Sequence, residues 1–546
     1  MTKKWSEVNA IYQIYPRSFS DSNGDGIGDL RGVINKLDYI KGTNDALGVD
    51  AIWFSPFYPS PMADFGYDVS DYKDIDPIFG SLDDFKELIT KAHEQHINVM
   101  IDFVPNHTSN QHPWFIESKD KTSDKADYYV WRDGKPDGSL PNNWLSIFGG
   151  SAWQYDDTRG QYYLHTFLKE QPDLNWDNPA VRKEMQDVVR FWMELGVDGI
   201  RADAVRWISK DPAFRDDPKN PNFNPKSKDK FDSLVHKYSR FWKSLFPYLR
   251  ELTDVVEQYP NRIMIFEDYP DGNYSTSEQY LGFYGINPKV SMPFNFEGLG
   301  AEFSANSYRD FITEFQGMLD QTIHTPVYCF SNHDQWRIVT RFGSDEKARL
   351  IALLQLTLPG LPVIYYGDEI GMPNTPIPDD RRQDPLYLTN PDRNAWRDPE
   401  RTPMQWDDTK YAGFSTSEPW LPIGETLAKN NVTHQQTEHD SFYKLYQRLL
   451  RIRSAQPILR QGSLETFGEQ HDDVFTFARR LGDEHVYVAL NFSDKAQKVT
   501  LPHIGRVLCA THPVDYPDIS GNTITLRPLE GTLIECAHHT LRNVVR

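Results

Sequence analysis

Four stretches of the 546-residue chain end an apolar run in ionisable residues. "INVMIDFVPNH" carries Asp102, Asn106 and His107, and "GVDGIRADAV" carries Arg201 and Asp203. "RIMIFED" ends in Glu267 and Asp268, and "TPVYCFSNHD" ends in Asn332, His333 and Asp334. Each run reads as a buried β-strand. Residues two apart in a strand share a face, so Arg201 and Asp203 point the same way. Buried charge is costly unless it is paired or used. One buried carboxylate is most simply an arginine's partner. Three from separate strands repel one another and must be held together at a cost, which points to chemistry. Metal binding is one such chemistry. Glycoside hydrolysis is the other, with one carboxylate attacking and another protonating the leaving group. No strand end carries histidines at a ligand spacing such as H-x-H, which favours the second.

These residues need a scaffold that brings distant strand ends together. Eight apolar runs recur, starting at Ala10, Asp50, Ile97, Val197, Arg262, Val290, Thr325 and Leu361. Helical segments separate them. Between Ser81 and His96, Leu82, Phe85, Leu88, Ile89 and Ala92 form one stripe, with Ser81 as N-cap and Asp83 and Asp84 in the first turn. Near-continuous apolar strands alternating with helices imply a parallel sheet covered on both faces. Eight units predict an α/β fold of the (β/α)8 TIM-barrel type, with polar strand ends on the functional face. A doubly wound open sheet is the alternative. The stretch 105–175 is too long for a simple loop and is expected to be an inserted subdomain. A second long loop is expected at 371–437. From 470 the pattern alternates, as in "DVFTFARR" and "HVYVALNF", which predicts an antiparallel β-domain. The expected domains are thus a barrel from 1–104 and 176–469, the insertion 105–175, and a C-terminal domain 470–546.

Composition limits the partners. The net charge of −20 argues against nucleic acid or an anionic membrane. The start, "MTKKWSEVNA", has no apolar leader core, and no run of about 18 uncharged apolar residues occurs. A cytoplasmic enzyme is expected, either monomer or homodimer. The three cysteines, Cys329, Cys509 and Cys536, show neither metal-type pairing nor a disulfide framework.

"DSNGDGIGD" suggests an ion site. Asp21, Asn23 and Asp25, the Ile27 carbonyl and Asp29 offer oxygen at alternate positions, with Gly26 for the turn, which suits Ca²⁺. An EF-hand needs Glu at the twelfth position, where Gly32 stands. An ordinary Asp/Gly turn is the plain alternative.

"DFVPNHTS", "GIRADAV", the strand ending in Glu267 and "FSNHD" resemble the four signature segments of the α-amylase family, glycoside hydrolase family 13. "QPDLNW", "GYDVSDY", "NNWLSIFGGSAWQYD", "YYLHTF" and "RTPMQWD" resemble its oligo-1,6-glucosidase and α-glucosidase branch. The resemblance keeps its order from near residue 5 into the C-terminal domain. It implies Asp203 as nucleophile, Glu267 as general acid/base and Asp334 as transition-state stabiliser. The physical reading agrees: Arg201 would keep Asp203 ionised, while the acid needs a raised pKa. Net retention would follow, with the two carboxyls about 5–5.5 Å apart. One departure is Phe266, where the family usually has a small residue before the catalytic Glu. Asp268 is the competing acid.

The resemblance also implies that Asp64, Tyr67 and Arg401 close the pocket around the non-reducing glucose, that His107 and His333 bond it, and that Phe148 and Phe167 wall it. Arg201 joins this substrate-binding set. A closed end implies exo-action on short chains. In this branch Ala or Thr after the nucleophile accompanies α-1,4 preference and Val accompanies α-1,6, so Ala204 points to maltose-type substrates. The ion loop resembles one that holds Ca²⁺ or Mg²⁺ in this branch. Oligo-1,6-glucosidase, trehalose-6-phosphate hydrolase, sucrose isomerase and glucosyl transferase activities are the rivals on one scaffold. A non-catalytic transporter heavy chain would need a membrane anchor and lack the three carboxylates.

Overall fold

The computed structural model describes residues 2–42, 45–269, 276–320, 322, 324–391, 396–469, 472–517 and 519–536. Eight strands form the barrel, here β1 (Ile11–Ile14), β2 (Ala51–Phe54), β3 (Asn98–Phe103), β4 (Gly199–Ala202), β5 (Ile263–Phe266), β6 (Ser291–Asn295), β7 (Val327–Cys329) and β8 (Leu361–Tyr365). They pair in sequence order, all parallel, and β1 closes on β8 with Ile11 opposite Val363. The TIM barrel is as expected, and each of the eight apolar runs supplies one strand.

Alternation along the strands decides which side chains enter the barrel. Ile11, Trp53, Met100, Ile265, Phe294, Cys329 and Val363 form an inner cluster. Their neighbours Tyr12, Ile52, Val99, Ile101, Met264 and Ile364 pack in the outer layer with the helices. Two faces, both covered, explain why the strands carry so few polar residues. The helix Leu82–Glu94 starts with a capping box between Ser81 and Asp84, and it buries Phe85, Leu88, Ile89 and Ala92.

Three excursions leave the strand tops. Between β3 and β4 lies a small antiparallel sheet in which Gln161–Leu164 pairs with both Trp131–Arg132 and Trp153–Asp156. The loop after β8 is long, as expected. The excursion after β4 was not anticipated: it runs to the helix Leu245–Val256 with only short 3-10 turns at Val205–Trp207 and Phe231–Ser233. Its Pro- and Asn-rich run "KDPAFRDDPKNPNFNPK" was the available signal.

Beyond the barrel, a five-stranded antiparallel sheet and a three-stranded one follow. The first strand, Ser463–Thr466, pairs with Val474–Leu481 and so precedes the expected boundary at 470, itself outside the described residues, as is 537–546. One buried guanidinium ties the sheet to the barrel, and a second, on the helix Phe442–Ala455, braces the same place. Arg479 Nη1 donates to the Thr357 carbonyl at 2.6 Å. Arg453 Nη1 donates to the Leu358 carbonyl at 2.7 Å. Both serve carbonyls at the C-terminal end of the helix Asp345–Thr357, where cations are favoured. The three cysteines are free and buried. Among the described residues, no helix is long and apolar enough to cross a membrane.

Candidate active site

Strand register assembles the centre. Asp102 lies opposite Arg201 on β3 and β4, and Arg201 lies opposite Ile265 on β5. Asp203 and Glu267 stand one residue beyond their strands, yet the ladder continues through them: Asp203 N donates to Phe103 O at 2.8 Å and Glu267 N to Ala202 O at 2.9 Å. Asp102, Arg201, Asp203 and Glu267 therefore extend the inward-facing rows of Met100, Gly199 and Ile265.

One guanidinium holds three carboxylates. Arg201 Nη1 lies 2.7 Å from Asp102 Oδ1 and 2.6 Å from Asp203 Oδ1, and Nη2 lies 2.9 Å from Glu267 Oε2. Asp203 and Glu267 also hydrogen-bond each other. Three acids around one cation cannot all ionise cheaply. Burial pushes Asp203 well above the usual carboxylate range, Glu267 and Asp102 add to the rise, and Arg201 only opposes it. Burial likewise raises Asp102 to about 7, against Arg201 and Tyr67. The expectation that Arg201 keeps Asp203 ionised is therefore corrected: Arg201 does lower its pKa, but desolvation outweighs the guanidinium.

Asp334 has the opposite environment. Burial would raise its pKa, but His333, Arg401, Arg397 and Arg201 outweigh that and hold it well below the usual range. Arg401 Nη2 lies 2.7 Å from Asp334 Oδ1, and Arg397 Nη1 lies 3.2 Å from the same oxygen.

A cavity of about 410 Å³ opens over these groups. Asp64, Tyr67, His107, Phe148, Phe167, Asp203, Glu267 and Asp334 all line it, as expected of a shared site. Three expected sugar ligands do not; one is His333, whose buried ring nitrogens meet Tyr67 and Gln13 instead. Arg201 lies beneath the carboxylates, and Arg401 is fully buried with Nε on the His333 carbonyl at 2.8 Å. The group that pairs with Asp64 is Arg397, at 3.0 Å, and it lines the cavity. Arg397 also holds Asp384, at 2.8 Å, so it is fixed at the closed end. It lies four residues before Arg401, outside the matched "RTPMQWD" run, which is why the motif pointed to the wrong arginine.

The histidines are neutral. Burial lowers His107 to about 4 and His333 to about 3. Tyr67 hydroxyl is 2.5 Å from His333 Nε2 and donates to Asp102 Oδ2 at 2.9 Å, linking pocket wall and carboxylate cluster. Gln171 Nε2 donates to Asp64 Oδ2 at 3.2 Å and lies 3.1 Å from His107 Nε2. Asp268 is engaged elsewhere, accepting from Arg206 Nε at 2.6 Å and from Gln279. That leaves Glu267 as the acid beside Asp203. Sequence reasoning missed Trp207, Phe231 and Arg240, which the excursion after β4 brings to the cavity wall.

Ala204 sits in the left-handed region, with φ of 47°, and donates its N–H to Glu267 Oε2 at 2.8 Å. A non-glycine residue there is strained, and the turn is what lets its amide face the acid.

Residues 13–462 match the model of the α-amylase catalytic domain. The chain belongs to the α-amylase family. An oligo-1,6-glucosidase of Bacillus cereus is 37% identical over 98% of this chain and 100% of its own length. An α-glucosidase of Apis mellifera is 39% identical over 91% of this chain and 87% of its own. The solved structure of an α-glucosyl transfer enzyme superposes with a TM-score of 0.89 at 37% identity, covering 98% of this chain and 100% of that one. As a member of the α-amylase family and of its oligo-1,6-glucosidase and α-glucosidase branch, the protein is a retaining glycoside hydrolase acting on short α-glucosides.

Proposed function

We propose that the protein removes the terminal glucosyl unit of short α-glucosides, α-1,6-linked ones included, and passes it to water or to a sugar hydroxyl. The observation that carries this is Arg201 holding Asp203 and Glu267 in mutual hydrogen-bond contact below a cavity whose wall holds the Asp64–Arg397 pair. Contacting carboxyls suit a retaining mechanism, since an inverting pair needs about 6.5–9.5 Å for an intervening water. Asp203 attacks the anomeric carbon as the C1–O bond breaks, and Glu267 protonates the departing oxygen. Glu267 then takes a proton from water or an acceptor hydroxyl, which attacks C1 and releases Asp203 with the configuration retained. For the first step Glu267 must carry the proton and Asp203 must be anionic beside Arg201. Asp334, ionised throughout, faces the positive charge that develops on the sugar.

On linkage, the Bacillus cereus relative favours α-1,6 over the α-1,4 preference read from Ala204. Cleavage of α-1,4 links is kept as the second reading because Ala204 lines the cavity beside both reacting acids. A time course on maltose, isomaltose, sucrose and trehalose at high sugar concentration separates these readings. A large isomaltose advantage supports the first, and a large maltose advantage replaces it with the second.

We further propose that the loop 21–29 binds Ca²⁺ or Mg²⁺ through Asp21, Asn23, Asp25, the Ile27 carbonyl and Asp29. The loop is already curled: Asp21 Oδ2 accepts from Gly26 N at 2.8 Å and Asn23 Oδ1 from Asp25 N at 2.9 Å. Its all-oxygen donor set fits a hard cation. Asp29 contributes least, since its oxygens cap Gly32 N and bond Ser22.

A further inference from the structure

The chain has 14 tryptophans, and Trp336 alone is exposed, at 56%. Among the described residues it makes no hydrogen bond, ring contact or cation contact, whereas the exposed Tyr155 packs on Tyr162. A solvent-facing indole offers a flat aromatic face and an N–H, which suit it to a ligand that is apolar on one face and polar at its edge.

Its position gives the ligand. Trp336 directly follows Asp334 and Gln335, which both line the active-site cavity. Two peptide units separate it from Asp334, so their Cα atoms lie within about 7.6 Å. Asp334 is also the most open of the three carboxylates, 22% exposed against 10% for Asp203 and 12% for Glu267. Asp64 and Arg397 pair at 3.0 Å in the cavity wall, and on the glucosidase reading they hold the terminal glucose, so whatever is bonded to it extends away from them. The backbone around Trp336 is fixed. Asp334 N donates to Asn332 Oδ1 at 3.0 Å, and Arg337 N donates to Asn374 Oδ1 at 2.8 Å. The Arg337 guanidinium is buried, on the Tyr366 carbonyl at 2.7 Å. The fixed backbone holds the indole's attachment point in place beside the cavity.

We propose that Trp336 is the acceptor-side platform of this enzyme, stacking on a sugar ring beyond the scissile bond. It would bind the leaving sugar in hydrolysis and the acceptor sugar in transfer. This rests on the glucosidase reading above.

The test compares Trp336→Ala and Trp336→Phe with the unmodified protein on two donors. α-Glucosyl fluoride has no sugar on the leaving side, whereas isomaltotriose does. The expected result for Trp336→Ala is unchanged kcat/KM on the fluoride, a KM for isomaltotriose raised roughly tenfold, and a similar loss in transfer to an added disaccharide. Trp336→Phe should recover much of both. Equal kinetics on both donors, or an equal loss on both, overturns the platform. Failure of the unmodified protein to hydrolyse α-glucosyl fluoride would instead overturn the glucosidase reading. Acrylamide quenching is a readout that needs no turnover. Isomaltotriose should shield the quenchable indole of the unmodified protein, glucose should not, and Trp336→Phe should lack that component. Quenching unaffected by isomaltotriose counts against the proposal.

Discussion

Arg201 and Asp203 are joined at 2.6 Å, and the same Nη1 reaches Asp102 at 2.7 Å. A single buried cation thus joins Asp203, which lines the cavity, to a second carboxylate that does not. Removing the cation strands three acids in a dry barrel mouth. Arg201→Met should destabilise the fold by about 3–5 kcal/mol, read from the urea midpoint, and abolish turnover. A variant of unchanged stability would show that the three-way pairing is not what holds the centre.

Asp203→Asn and Glu267→Gln should each reduce turnover of an α-glucoside by on the order of 10⁴-fold. Asp268→Asn should leave turnover within a few-fold, since its oxygens serve Arg206 and Gln279. Early product NMR should show the α-anomer of glucose first. Initial β-anomer, or a collapse caused by Asp268→Asn alone, would reassign the acids.

The two arginines of the closed end should separate kinetically. Arg397 reaches into the cavity with Asp64, so Arg397→Ala should raise KM on disaccharides by at least about tenfold. Arg401 is behind Asp334, so Arg401→Ala should act mainly on kcat. Equal profiles for the two variants would contradict this division.

No histidine should appear in the pH dependence. His107 and His333 are held at about 4 and about 3, so both remain neutral at every pH above 5. Imidazole NMR signals from either that titrate between pH 5.5 and 8 would refute this. The carboxylate cluster carries a raised value of about 7 at Asp102. An acid with a raised value keeps its proton below it and loses it above. The alkaline limb of kcat/KM should therefore fall near pH 7, as a property of the cluster as a unit.

Divalent cation should stabilise the fold if the loop 21–29 binds it. At a hundredfold excess over Kd, Ca²⁺ should add about 2.7 kcal/mol, seen as a rise in Tm. The rise should vanish in Asp21→Asn/Asp25→Asn. No response to Ca²⁺, Mg²⁺ or chelator would remove the site.

The sequence by itself determined the barrel, and its resemblance to the α-amylase family picked Asp203 and Glu267 as the candidate acids. The barrel and the gathering of charge at its mouth follow from local pattern: apolar runs fix where strands lie, a period of two fixes which face Arg201 and Asp203 share, and carboxylates at successive strand ends must converge once the sheet closes. Tertiary structure decided the rest. Whether Arg201 or desolvation governs the proton on Asp203 depends on how many other acids and how little water surround it, and no single strand carries that information. Arg397 displaced Arg401 as the partner of Asp64 because a long loop with few regular turns sets which of two nearby arginines faces the cavity. Trp207, Phe231 and Arg240 became cavity walls for the same reason, and Trp336 stood out only when every other tryptophan had found cover.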